Sequence, residues 1–74
     1  MGVAMTPLVR GRRLAAGLTQ EQLAQRVRVS RQTVISIESG RYSPSLVLAH
    51  KLAQVFGCQI EDLFEFDEEE TQGE

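Results

Sequence analysis

Arg31, Gln32 and Thr33 follow one another directly after Ser30, and their side chains are of the types that pair with the edges of nucleic-acid bases. The planar fork of Arg31 matches guanine O6 and N7, or alternatively a phosphate. The Gln32 amide offers the donor and acceptor that adenine N6 and N7 require, and Thr33 offers a hydroxyl and a methyl that suits thymine. Ser36 lies one helical turn below Gln32 and Thr33. Gln20 opens a separate helical segment, where free amides and the helix dipole favour a phosphate. Arg41 and Tyr42 follow the Arg31 segment and are expected on the flanking backbone.

Other chemistries find little support. One histidine, His50, and one cysteine, Cys58, supply neither a metal-ligand set nor a nucleophile with its base. No enzyme, cofactor, metal or small-molecule ligand is expected. A single cysteine forms no internal disulfide, which fits a reducing cytoplasm. No apolar run is long enough to cross a membrane, and no basic–apolar–small succession marks a secretory signal. The opening MGVAMT fits the short myristoylation pattern, which so few fixed positions make a chance match.

The formal net charge of −2 argues at first against a polyanionic partner. Its distribution reverses that inference. Residues 1–60 hold all eight Lys and Arg with only Glu21 and Glu38 as acids, a net of +6, whereas residues 61–74 hold eight acids and no base, a net of −8. Clustered cations on the body release counterions from a duplex, so a nucleic acid would meet residues 10–41 first. Arg10 and Arg12 divide evenly between phosphate contact and solvated surface, and Arg26 and Lys51 read as solvated surface.

Positioning such side chains requires rigid helices, and the sequence marks them. A first helix is expected from Thr6-Pro7, with Thr6 as cap, ending near Gly17. Thr19 and Gln22 have the capping-box spacing for a second. Ser30 caps a third that stops at Gly40. Ser43-Pro44-Ser45 opens a fourth, whose Leu46, Ala49, Leu52, Ala53 and Phe56 form one apolar stripe. A short fifth helix or helical turn is expected over residues 60–64. The fold class is therefore all-α, a compact bundle of five helices over residues 7–66, with residues 67–74 an acidic, solvated tail. Only Arg28 and Val29 separate the second helix from the Ser30 cap, so the two helices must cross steeply and present the third as a ridge. A B-DNA major groove admits one such helix.

These motifs, TQEQLA at 19–24, VSRQTVISIESG at 29–40, YSPSLVLAHKLAQVFG at 42–57 and IEDLF at 60–64, resemble the Xre/Cro family of helix-turn-helix regulators, related to lambda-type repressors. The likeness is strongest to short members without a ligand-binding region. It implies a lambda-repressor-like fold that binds double-stranded DNA as a transcriptional regulator, often a repressor acting as a homodimer on a palindromic operator. It places Gln20, Arg31, Gln32, Thr33 and Ser36 at DNA-contacting positions. It also pairs Arg13 with Glu38 in a structural salt bridge between the first and third helices. One departure stands out: Arg28 opens the turn where the family usually has glycine. If the backbone there is left-handed, the cost is about 1–2 kcal/mol, and a cation near the phosphates would be the compensation.

Ile60, Leu63, Phe64 and Phe66 are expected to form a dimer interface, or else to cap the small core. Two functional readings stay open: a sequence-specific regulator, and a protein-interaction module that keeps the fold while its acidic tail engages a basic partner or shields the body from DNA.

Overall fold

In the computed structural model, which describes residues 4–67, a strand β1 (Ala4–Pro7) precedes four helices: α1 (Val9–Ala15), α2 (Gln20–Val27), α3 (Arg31–Glu38) and α4 (Leu46–Phe56). A 3-10 turn at Ile60–Asp62 and a second strand, β2 (Phe64–Asp67), complete the chain. The architecture is thus mostly helical, with a two-stranded antiparallel ribbon in which Met5 pairs with Phe66 and Pro7 with Phe64. The fifth helix contracts to three residues because Phe64 leaves it to join β2. The first helix begins at Val9 rather than at Thr6-Pro7 for the same reason. Both residues belong to the ribbon, and the Leu8 amide donates to the Leu63 carbonyl at 2.8 Å. Asp67, placed by sequence in the acidic tail, is the register partner of Ala4; the rest of that tail, 68–74, lies outside the described residues.

The helix starts follow the sequence. Thr19 Oγ1 accepts from the Gln22 amide while Gln22 Oε1 accepts from the Thr19 amide, at 3.0 and 2.8 Å, a complete capping box. Ser30 and Ser45 each accept from the amide three residues on. The stops share one design. Each helix ends in a residue at positive φ, with the following amide bonded back to a carbonyl five residues earlier. Glycine fills three of these positions; Arg28 fills the fourth, at φ 62° and ψ 48°.

Leu23, Val27, Val34, Ile37, Leu52 and Leu63 are essentially inaccessible and form the centre of one core with Val9, Leu48, Ala49, Ala53 and Phe64. Ala24, 3% exposed, has only a methyl to accommodate where α2 packs on α3. That close approach fixes the attitude of α3.

Candidate nucleic-acid interface

The candidate site begins at the first turn of α3. Ser30 fixes it through the Thr33 amide, and the Ser30 and Thr33 hydroxyls bond each other at 3.0 Å. One of the Thr33 hydroxyl's interactions is therefore internal, while Arg31 and Gln32 project into solvent. Further along, the Ser36 carbonyl accepts the amides of Arg41 and Tyr42 and the Ser39 hydroxyl, at 3.0, 3.2 and 3.1 Å. These bonds fold the chain after α3 back beside it. Tyr42 thereby joins Ser30, Gln32, Thr33 and Ser36 around one shallow concavity of about 300 Å³. Four residues expected near one ligand surface, Gln32, Thr33, Ser36 and Tyr42, thus share a single hollow with the Ser30 cap.

Arg31 sits on the other flank of α3. It shares a hollow with Arg13, Leu14, Thr19 and Gln20, and its Nη2 lies 3.5 Å from Gln20 Oε1. The Gln20 Nε2 in turn donates to Glu38 Oε1 at 3.2 Å. Glu38 is the acceptor of the Arg13 fork: Nε to Oε2 at 2.7 Å and Nη2 to Oε1 at 3.2 Å, with side chains only 8% and 5% exposed. The remaining Arg13 donor caps the Leu18 carbonyl at 2.9 Å. A continuous chain of polar contacts therefore runs from the buried pair to the exposed guanidinium of Arg31. Sequence reasoning assigned Gln20 to a phosphate and missed both of its internal partners. They are brought together across two helices, and no spacing within either helix signals the contact.

Arg28 is placed differently from Gln32 and Thr33. It lines an open hollow of about 460 Å³ with Arg26, Lys51, Gln54 and Val55. Arg12 shares a hollow with Asp62. Among the expected interface residues, Leu63 and Phe64 are 0% and 5% exposed within the protomer itself, Ile60 is half-buried, and Phe66 is 53% exposed. His50 is exposed and Cys58 half-buried and free. Among the described residues no His, Cys, Asp and Glu group is arranged to hold a metal, and no helix is long and apolar enough to cross a membrane.

The left-handed Arg28 gives a direct test. Glycine there removes about 1–2 kcal/mol of backbone strain and returns part of it through the greater freedom of the unfolded chain. Arg28→Gly is expected to unfold at higher denaturant concentration, by about 1 kcal/mol or less. An unchanged DNA affinity would remove the idea that the cation compensates for the strain.

A helix-turn-helix family model matches residues 9–63. An uncharacterized HTH-type transcriptional regulator of Methanothermobacter thermautotrophicus is 56% identical over 66 residues, covering 88% of this chain and 96% of that protein. Another, from Archaeoglobus fulgidus, is 51% identical over 69 residues, covering 93% and 99%. Among solved structures, the restriction-modification controller protein C.AhdI from Aeromonas hydrophila superposes with a TM-score of 0.68 at 35% identity, covering 73% of this chain and 82% of its own. The capped α2–α3 pair, the Arg13–Glu38 bridge and these likenesses agree, and the chain belongs to the Xre/Cro family of helix-turn-helix transcriptional regulators, whose fold binds DNA.

Proposed function

We propose that the protein is a sequence-specific, cytoplasmic repressor that acts as a homodimer on a palindromic operator. In this reading α3 enters the major groove. Gln32 reads a base in its first turn, and Thr33, Ser36 and Tyr42 follow the groove wall from the shared concavity. Arg31 reads a guanine or clamps a phosphate, its guanidinium steadied by Gln20. Arg41 holds the flanking backbone, and Arg28 supplies positive charge beyond the turn. The observation that carries the reading is the exposure of Arg31 and Gln32 on a helix start that Ser30 caps through the Thr33 amide. Two copies would set their α3 helices in successive grooves about 34 Å apart.

Selection of bound duplexes from a random pool tests this directly. Recovered sites are expected to be imperfect palindromes with half-site centres one helical turn apart. A pool that stays random overturns the reading. Within such a site, Gln32→Ala is expected to relax preference at one base position, at a cost of about 1–3 kcal/mol. Arg41→Ala should instead weaken all sequences alike and flatten the salt dependence. Identical behaviour of the two variants would show that base reading and backbone holding are not divided in this way. The interaction-module reading is addressed by retention on heparin and on random duplex at low salt, with and without residues 68–74. Failure of both forms to bind would favour it.

A further inference from the structure

The open hollow of about 460 Å³ at Arg28 lies along the seam where α2 packs on α4, and its walls come from both helices. Arg26 and Arg28 belong to the last turn of α2 and its C-cap. Lys51, Gln54 and Val55 stand three and four positions apart and so share one face of α4. All three cations are exposed, no acid lines the hollow, and none of the three enters an ion pair among the described residues. Like charges gathered round one hollow raise each other's energy. The helix dipole offsets this for Arg26 and Arg28 at the end of α2, but Lys51 lies in the middle of α4 and has no such compensation. Arg28 adds the backbone cost of its left-handed φ. Repulsion and strain thus converge on one place, and an anion held among the three cations would relieve the first and give the second a use.

We propose that this hollow binds an oligophosphate chain, either inorganic or carried by a nucleotide. Two guanidinium forks match the paired oxygens of phosphoryl groups. The Lys51 ammonium adds a point charge, and the Gln54 amide adds a neutral donor. In an open hollow, water and salt screen each cation, so a single negative charge is held weakly and the ligand must be multivalent. A duplex backbone offers the same phosphate chemistry, but the hollow opens on a different flank of α2 from the one that meets α3. Arg26 follows Gln20 by six positions, about 120° round the helix, and it is Gln20 that touches Glu38 and Arg31 of α3. The hollow also shares no lining residue with the Gln32 concavity or the Arg31 hollow. A ligand there leaves clear the surface on which α3 presents Gln32 and Arg31. The inference goes beyond the operator reading and gives the charge at Arg28 an occupant. A bound chain would tie the end of α2 to α4 across their seam and so stabilise the frame that holds α3.

Titration of the full chain with sodium tripolyphosphate at low salt, followed by amide NMR and thermal unfolding, tests this. Shifts are expected first at residues 26–28 and 51–55. The melting temperature should rise by about 5–10 °C at ten times the dissociation constant. R26Q and K51Q, altered at exposed positions, should melt without ligand as the wild type does and lose about tenfold in affinity for it. R28G should be the more stable protein alone and yet respond less to the ligand, a split that a general effect on folding does not produce. R10Q removes the same charge at an exposed position outside the hollow and should respond as the wild type does. A loss with R10Q equal to that with K51Q overturns the proposal, because the effect is then one of net charge. No response to tripolyphosphate overturns it as well, and first shifts at Arg31 or Arg41 overturn its location. Tighter binding of ATP than of tripolyphosphate would assign the chain to a nucleotide, and equal binding to its phosphates alone. Resonances of the hollow that move with a random duplex but not with tripolyphosphate would overturn the free ligand and give the three cations to the DNA backbone. Tripolyphosphate binding here by a protein that selects no duplex would uphold this site and sink the operator reading on its own.

Discussion

Replacing Glu38 by glutamine is expected to cost about 3–5 kcal/mol of folding stability, the usual result of removing one charge from a buried pair. The carboxylate takes two bonds from Arg13 and one from Gln20. All three partners are donors, so an amide in its place must turn an NH₂ group toward one of them. The Arg13 guanidinium would keep its bond to the Leu18 carbonyl but lose its counter-charge in a site that water scarcely reaches. A domain of this size holds roughly 5–10 kcal/mol in total, so the variant should lose a large share of its stability and melt at a markedly lower temperature. The double replacement Arg13→Met with Glu38→Leu should recover much of the loss, since an apolar pair of similar volume has no charge to desolvate. Urea unfolding followed by circular dichroism checks both. A double variant as unstable as the sum of the singles would mean that the bridge contributes as two independent residues. The loss would also reach the interface, because Glu38 orients Gln20, and Gln20 meets Arg31.

Leu23→Ala is expected to lower stability by about 2–5 kcal/mol and the melting temperature by about 10 °C or more. Leu23 is wholly inaccessible and lies in the core shared by α2, α3 and α4. Truncating it removes the transfer free energy of its side chain and leaves a void that three helices with short connections cannot close. Gln25→Ala, two residues away and exposed, should remain within about 0.5 kcal/mol. A loss under 1 kcal/mol for Leu23 would show that the helices relax into the space, and with it that the attitude of α3 is not fixed by this core.

Much of this arrangement is legible before any coordinates. Thr19, Gln22, Ser30 and Ser45 act on amides three residues away, so their spacing alone announces the helix starts. The cost at Arg28 is equally local, since a backbone turn needs positive φ whatever surrounds it. The Arg13–Glu38 bridge was accessible only through resemblance, because nothing near either residue points to a partner 25 positions away. What stayed hidden was built by distant pairing. Residues 4–7 have neither the alternation nor the β-branched content of a strand, and they become one only because Phe64–Asp67 lies beside them. That same pairing moved the start of the first helix, shortened the fifth, and placed Phe64 in the core while leaving Phe66 outside. Gln20 was read as a phosphate contact from its place at the start of α2, while its internal partners Glu38 and Arg31 come from α3 and depend on the crossing of two helices.

The ribbon also sets an order of events. Joining position 4 to position 67 closes nearly the whole chain into one loop, and such long closures form after local contacts and open before them. During synthesis the α2–α3 pair is complete well before Phe64 leaves the ribosome. A nascent or prematurely ended chain that stops ahead of Phe64 would carry α2 and α3 without the ribbon and without the ring that closes one end of the core.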